Sequence, residues 1–408
     1  MSKFFEKYFK VKGEGLNDIV PVWKKIERIP EFAVLKTCKQ STKWHGEGDA
    51  FVHTQCVVNE CLKAIPLQFW GLSDIAEALI LAALFHDIGK GTTTFEKDGK
   101  WHAYGHEIES EKITRKLLWD EGYRFREMVC CLVRWHMEPL NWFNRKNNML
   151  EEIVRVATIL DSNDVTLTDL LHLKLWDVKG SKQEDENSKA KDIENLRYLL
   201  KLSQQMGLNT RNGASGYDYF MKERYKKEGE KKPLYLYMMI GLPGAGKDTY
   251  LNERLIQTDS PFTYINHKGV LKTIPTIDPA KAVVLCRDDI RVELGYCKEG
   301  EKIVGTSKQE DKVSEVFNDK LLEAAREGKT IVINNINLKS KYREQIVRYL
   351  SGYDLVVRYI YIEAKTLDLN RERRYGQIPD EAFDNMIMNF DWPSPFEYDE
   401  FYKIVNGE

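Results

Sequence analysis

The chain is short of cysteine, of long apolar runs and of net charge, and each shortage excludes a class of protein. Seven cysteines in 408 residues, an odd number with no C-x-x-C pair, suit neither a disulfide framework nor a zinc ribbon. The adjacent Cys130 and Cys131 read instead as buried helix residues. No apolar stretch approaches the roughly 20 residues that cross a bilayer, and Met1-Ser2-Lys3-Phe4-Phe5-Glu6-Lys7 is mixed and charged rather than signal-like. The expectation is a cytoplasmic protein with no membrane partner. A formal net charge of −2 gives no overall positive field, so any contact with nucleic acid has to come from a local basic patch. What remains is a large enzyme-like chain, 42% apolar, whose length divides into two or three domains.

Histidine is also scarce in one half. Seven of the eight histidines lie at or before residue 172, and the other is His267. Residues 50 to 172 read as helices; the stretch 74 to 85 is apolar nearly all round and so belongs at the centre of an all-α domain. From Lys179 to Lys191 the chain turns polar. A helix is expected near 192 to 206, then the Gly-rich Asn212-Gly213-Ala214-Ser215-Gly216 and the charged run Lys222 to Lys232. Beyond Pro233, short β-like runs at Leu234–Ile240, Ala282–Cys286, Thr330–Ile333 and Leu355–Ile362 alternate with helix-length charged segments, as in a parallel sheet covered by helices. The division expected is 1–177, a linker region with a helical segment at 178–232, and 233–408.

The strand expected at 234–240 runs straight into Gly241-Leu242-Pro243-Gly244-Ala245-Gly246-Lys247-Asp248-Thr249. Glycines at 241, 244 and 246 let backbone N–H groups approach phosphate oxygens, and Lys247 reaches the β- and γ-phosphates at the start of a helix whose dipole favours anions. This loop, through Ala245 to Thr249, is the expected site for ATP with Mg²⁺. Asp248 stands where a Ser or Thr hydroxyl usually ligates Mg²⁺; its carboxylate either replaces that ligand, directly or through water, or simply favours the helix N-terminus. The run ending at Cys286 leads into Arg287-Asp288-Asp289-Ile290-Arg291, at the strand ends where ligands bind in such sheets. A hydroxyl-phosphorylating enzyme needs a base, for which Asp288 is suited, and arginines to hold an acceptor phosphate, for which Arg291 and Arg287 are suited. The alternative is a charged surface cluster that caps a helix. Arg371, Arg373 and Arg374 precede Gly376-Gln377-Ile378-Pro379 as a candidate lid, and Arg373 or Arg374 would stabilise the transferred phosphoryl group; a solvated basic helix face is the alternative for any one of them.

Together these motifs, with the strand-end Asn334-Asn335-Ile336-Asn337-Leu338 and the tail Trp392-Pro393-Ser394-Pro395-Phe396-Glu397, resemble the P-loop kinase module of polynucleotide 5′-kinases over about residues 234 to 400. The resemblance implies Asp288 as general base, Arg291 beside the acceptor phosphate, Lys247 on ATP and an arginine lid. Asn335, a candidate acceptor contact, stands where related phage enzymes carry aspartate.

In the N-terminal half His53, His86-Asp87, His106, His136 and Asp161 offer four imidazoles and two carboxylates. Such a set suits Mn²⁺, Ni²⁺, Co²⁺, Fe²⁺ or Zn²⁺ better than Mg²⁺. His86-Asp87 follows an almost wholly apolar helix, where buried ionisable groups are costly unless paired or metal-bound. Taken singly, His53 or His136 would more often be a satisfied structural imidazole. The texts around His53, Leu84-Phe85-His86-Asp87-Ile88-Gly89-Lys90, Gly105-His106-Glu107 and Leu132 to Met137 resemble the HD phosphohydrolase superfamily over roughly residues 40 to 172, the last three resembling the HD domain of bacterial CCA-adding enzymes. That likeness implies His53, His86, Asp87 and Asp161 as ligands of a first metal, with His106 and His136 completing a second site bridged by Asp87. Asp164, one turn on, could replace Asp161. His45 and His102 are possible substrate contacts. Lys90 is either a group that steadies the scissile phosphate or a solvated helix cap.

An HD domain followed by a 5′-kinase module resembles the bacterial HD-Pnk proteins. The resemblance implies an RNA end-healing enzyme: ATP-dependent phosphorylation of 5′-OH ends, and metal-dependent hydrolysis of 2′,3′-cyclic phosphate and 2′-phosphate ends. RNA or DNA ends would be its substrates, and a separate RNA ligase its partner. Two rivals remain: an HD nucleotidase fused to a small-molecule kinase, and an active HD domain beside a degenerate kinase half that senses ATP or binds RNA, a reading motivated by Asp248.

Overall fold

The computed structural model describes all residues except 13–18, 42, 44, 66–72, 146–147, 211–232, 258–261, 266–270, 275, 299–305, 376 and 407–408. The charged run at 222–232, the Gly-rich segment before it, His267 and Gly376 therefore lie outside the described residues. The chain divides into two compact units, 1–227 and 228–408.

The first unit is helical, apart from two short hairpins, Phe9–Val11 with Ile19–Pro21 and Phe95–Lys97 with Lys100–His102. Its principal helices are α1 (Ala50–Ala64), α2 (Asp74–Phe85), α3 (His106–Leu117), α4 (Tyr123–Trp135), α5 (Met149–Ser162), α6 (Leu167–Gly180) and α7 (Glu186–Gln205). Helix α2 starts where the Ser73 side chain accepts from Ala76 N–H, which satisfies one of the amides that a helix start leaves unpaired. Every residue from Ala78 to Phe85 is buried, so it is the central helix that its composition predicts. Burying each of its Leu and Ile side chains contributes about 1.5–3 kcal/mol. Its one buried acid, Glu77, accepts from Ser2 N at 2.7 Å. Helix α6 begins with a reciprocal capping box of Thr166 and Asp169 and packs on α1, α2 and α7. Leu196 and Leu199 of α7 are buried, so the region expected as a linker contributes a packed helix that starts earlier than the predicted 192.

Three charged groups hold α3 to α4. Glu127 accepts from Arg115 Nη2 at 2.8 Å and from Arg126 Nε at 2.8 Å. All three are buried, and the Arg126 guanidinium lies 4.2 Å from the centre of the Trp119 ring.

The second unit is built on a parallel sheet of β1 (Leu234–Ile240), β2 (Ala282–Leu285), β3 (Thr330–Ile333), β4 (Leu355–Ala364) and β5 (Glu400–Asn406), in the order β5-β4-β1-β3-β2. Strand β5, which the sequence pattern did not reveal, pairs with β4 from Arg358↔Glu400 to Ala364↔Asn406. Because the strands are parallel, Gly241, Arg287 and Asn334 all follow the same end of the sheet. Four of the five strands lie close to the predicted runs, and helices α8 (Lys247–Tyr250, continued as a wider turn to Leu255), α9 (Arg287–Glu293), α10 (Ser307–Arg326), α11 (Ser340–Tyr349), α12 (Leu367–Arg373) and α13 (Asp380–Met388) connect or follow them. Among the described residues, no helix is long and apolar enough to cross a membrane.

Candidate active sites

In the helical unit, four elements bring imidazoles to one carboxylate. His86 and Asp87 lie at the end of α2, His53 on α1, His106 at the start of α3 and His136 just past α4. All five are buried. Asp87 Oδ2 is 3.2 Å from His86 Nε2 and 3.6 Å from His53 Nε2, while its Oδ1 is 3.2 Å from His106 Nε2 and 3.9 Å from His136 Nε2. Within each pair the Nε2 atoms are 3.4 Å apart. Asp87 thus faces two groups of donors, one with each oxygen.

The far sides of the rings fix their orientation. His86, His106 and His136 each donate Nδ1–H to the carbonyl three residues earlier, of Ala83, Ala103 and Val133, at 2.9, 2.7 and 2.7 Å. A carbonyl can only accept, so each of these Nδ1 atoms carries a proton and each Nε2 is the ring nitrogen that faces Asp87. His53 differs, with Nδ1 2.6 Å from Glu47 Oε1 and Nε2 2.9 Å from Asp177 Oδ1. Burial and then the neighbouring His86 and His106 hold His136 well below the usual imidazole range, hence neutral. Burial works against His53 as well, but Asp177 and Glu47 outweigh it and raise its pKa to about 9. Burial would raise the Asp87 carboxyl; His86, Lys90 and His106 overcome that and keep it well below the usual carboxylate range. Lys90 Nζ is 2.7 Å from Asp87 Oδ2 and donates to Gln40 at 2.8 Å, so it borders the cluster rather than capping a helix in solvent.

One expected ligand is displaced. Asp161 is in neither donor group; the carboxylate that meets His53, at 2.9 Å, and His86, at 3.8 Å, is Asp177. The cause is packing: α6, which carries Asp177, lies on α1 and α2, whereas α5, which carries Asp161, lies on α4 and α6. Asp164 does not replace it either, since it faces Arg124 at 3.4 Å. Asp177 follows the buried Leu170 by seven residues and Leu173 by four, so an acid in the apolar phase of a helix was the legible signal. Glu47 and Lys174, whose Nζ is 2.6 Å from Asp177 Oδ2, also escaped the sequence reading. His45 stacks edge-on to His53 and meets Glu47 at 2.9 Å, while His102 lies on the second hairpin. The buried set of four imidazoles with inward Nε2 atoms and two carboxylates fits divalent transition ions better than Mg²⁺.

In the second unit the turn after β1 is shaped by contacts that exclude side chains. A Cβ on Gly241 would lie 2.3 Å from Ile362 O, and one on Gly244, whose φ is +74°, would lie 2.8 Å from Asn370 O. Gly246 is also left-handed, at φ 93°. Lys247 donates to Gly241 O and Leu242 O, each at 3.0 Å, and desolvation lowers its pKa to about 8. Ala245 is buried beneath the loop, and Asp248 and Thr249 are exposed. Asn334, at the end of β3, donates to Asp248 Oδ1 at 2.6 Å. From α12, Asn370 donates to Pro243 O at 2.8 Å and Arg373 to Gly244 O at 2.9 Å, whereas Arg374 turns to Gln377 at 3.1 Å. Arg373 is thus the one of the two that hydrogen-bonds the loop, while Arg374 lies near enough to Lys247 to help lower its pKa. Asn370, buried beneath it, was missed because a polar residue in a charged helix carries no distinguishing pattern.

Asp288 is 65% exposed at the start of α9 and lies 2.5 Å from Arg291 Nη1. Arg291 also makes a two-pronged pair with Glu310, at 2.8 and 2.7 Å, so an acceptor phosphate would have to compete with that carboxylate. Asn335 Oδ1 accepts the Arg287 N–H at 3.0 Å and Arg287 Nη2 donates to Ser314 Oγ at 2.7 Å. In this arrangement both side chains brace α9 against β3 and α10.

Two family models match the chain, one within each unit. Residues 69–166 match the family model of the HD domain, and residues 236–393 match that of an AAA domain. The first span holds His86, Asp87, Lys90, His106 and His136; the structure adds His53 and Asp177 from outside it. A multifunctional CCA protein of Actinobacillus pleuropneumoniae serotype 5b is 41% identical over 92 residues, 22% of this chain and 20% of that protein. Those of Herminiimonas arsenicoxydans and Pasteurella multocida are each 35% identical over 85 and 89 residues, 18% and 20% of their lengths. The chain therefore spans about a fifth of the curated relatives it matches. A sugar kinase structure from Janibacter sp. HTCC2649 is 16% identical, with 43% of this chain and 84% of that one covered and a TM-score of 0.26, a likeness too slight to bear on function. The chain joins an HD domain of phosphohydrolase type to a P-loop, kinase-like AAA domain.

Proposed function

We propose that the protein heals both sides of an RNA break, as an enzyme of HD-Pnk type. The observation that carries this reading is the pair of donor groups sharing Asp87 in a chain that also holds a P-loop with an arginine against it. One half is equipped to remove a phosphate and the other to add one, and RNA ends with 5′-OH and 2′,3′-cyclic phosphate groups need both operations.

In the helical unit His53, His86, Asp177 and one oxygen of Asp87 would hold one divalent ion, and His106, His136 and the other oxygen a second. Such ions, when bound, lower the pKa of water and clamp phosphate oxygens. Lys90 sits at Asp87 with a charge that suits a phosphate ester, and the Nδ1 hydrogen bonds keep the imidazoles aimed without reorganisation. In the second unit the loop amides and Lys247 would cradle ATP phosphates, with Asp248 beside Mg²⁺. Asp288 would orient the 5′-hydroxyl and take its proton as oxygen bonds to the γ-phosphorus and ADP leaves. Arg373 would close on the transferred group.

The test uses a short RNA with 5′-OH and 2′,3′-cyclic phosphate ends, with ATP and Mg²⁺, then Mn²⁺ or Ni²⁺, beside a nucleoside and a cyclic mononucleotide. Asp288→Ala should lose only 5′-phosphorylation and His86→Ala/Asp87→Ala only ester hydrolysis. Turnover of the small molecules without reaction on RNA would overturn the proposal in favour of nucleotide metabolism.

A further inference from the structure

Between Lys90 and His106 the chain rises into a hairpin with an unusual face. Phe95 and His102 are directly opposed across its two strands, with ring centres 5.7 Å apart, and Tyr104 closes the cluster, 5.0 Å from His102 at an angle of 25° and 5.8 Å from Phe95. Phe95 is 41% exposed and Tyr104 71%. Two of the three adjoining rings are thereby exposed and His102 is half-buried, although aromatic side chains bring the largest burial gain of any residue type. On the same face, by strand alternation, Lys97 opposes Lys100. Like charges directly across a hairpin are destabilising, and an anion lying over them would remove that cost. The turn itself, Asp98-Gly99 with φ of 52° and 70°, is well suited to a tight hairpin, so the arrangement does not follow from turn geometry.

The hairpin is tethered to the metal-ligand cluster at both ends. On one side the chain leaves Lys90, 2.7 Å from Asp87. On the other, Ala103 O accepts from the His106 ring, and Tyr104 lies two residues, at most about 7 Å of backbone, from His106. The opposite face is occupied: Lys39 Nζ lies 5.4 Å from the centre of the Trp101 ring. An aromatic cluster with an exposed Tyr104 ring beside paired lysines is the combination that holds single-stranded nucleotides, with bases on aromatic faces and phosphates on cations.

We infer that Phe95, His102 and Tyr104 form a stacking platform for the base next to the phosphate ester that the helical unit hydrolyses. The inference rests on the proposed phosphohydrolase activity and narrows its substrates to esters carrying an unstacked base. Either an RNA end or a free nucleotide presents that chemistry, and Lys97 and Lys100 favour a further phosphate, as in an RNA strand.

The experiment compares Tyr104→Ala and Phe95→Ala with the unaltered full chain on three substrates: RNA ending in a cyclic phosphate, the same oligomer ending in an abasic sugar phosphate, and a cyclic mononucleotide. Loss of stacking should raise KM for the two base-bearing substrates by about 5- to 150-fold, with kcat and the abasic substrate little changed. Lys97→Ala/Lys100→Ala should weaken only the RNA. A 2-aminopurine at the 3′ terminus should lose its quenching in Tyr104→Ala, a binding readout that needs no turnover. Equal KM on base-bearing and abasic substrates in the unaltered protein, with unquenched fluorophore, would overturn the platform. Quenching without hydrolysis would instead remove the phosphohydrolase reading and leave the platform.

Discussion

The placement of Asp177 rather than Asp161 in the histidine cluster makes a quantitative prediction. Asp177→Asn keeps the side chain's shape and removes its charge. The loss is felt first without metal, because Asp177 is held well below the usual carboxylate range, against the effect of burial, by Lys174 and His53. Lys174 is itself buried, with its Nζ 2.6 Å from Asp177, and breaking such a pair costs about 3–5 kcal/mol. For a unit of this size each kcal/mol moves the melting temperature by about 2–4 °C, so chelator-treated Asp177→Asn should melt roughly 6–20 °C lower. The second loss is in metal affinity. Even groups that only orient ligands are worth about 10–100-fold, and Asp177 lies against two imidazoles, so titration with Ni²⁺ or Mn²⁺ should show at least that weakening. Since bound metal stabilises by mass action, a 10–100-fold weaker site also removes about 1.4–2.7 kcal/mol of metal-linked stability at a fixed saturating concentration. Asp161→Asn should change metal affinity by less than about threefold, because Asp161 is in neither donor group. Equal loss of metal affinity in the two variants, measured by calorimetric titration, would refute the assignment.

Glu127→Gln should destabilise the helical unit by about 3–5 kcal/mol in urea titrations, because Arg115 and Arg126 remain buried around a neutral amide. Burial opposes the charged form of Glu127, but the two arginines hold its carboxyl below the ordinary value. With the folded pKa depressed, its contribution is fully present above the unfolded value of about 4.3 and lost as pH falls through the folded one. The stability gap between the two proteins should therefore be flat above about pH 6 and narrow below about pH 4; a gap independent of pH would contradict the pairing. In the second unit, Gly244→Ala forces a left-handed alanine, a strain of about 1–3 kcal/mol, and drives its Cβ toward Asn370 O. On the proposed function, ATP affinity should fall about tenfold or more while ester hydrolysis assigned to the helical unit is unchanged, as nucleotide titration and parallel assays would show.

The features legible in the sequence are those in which local chemistry alone decides the outcome. The loop at 241–247 declares itself because close backbone approaches at Gly241 and Gly244 leave no space for a Cβ, a constraint that writes glycine into the text. His86-Asp87 is legible for a related reason: ionisable groups after eight consecutive buried residues have few stable explanations. Asp177, Glu47 and Asn370 are of another kind. Each is an ordinary polar residue whose meaning comes from what packs against it, and only the contact of α6 with α1, or of α12 with the loop, supplies that. Asp161 misled because it combined the right residue type with a plausible distance along the chain, while the helix that reaches His53 is the next one. Strand β5 was hidden because Glu400-Phe401-Tyr402-Lys403 mixes charge with aromatics, as an edge strand paired on one side only can. A ligand set drawn from several helices is thus readable up to the choice between carboxylates of similar spacing, and that choice is made by helix packing.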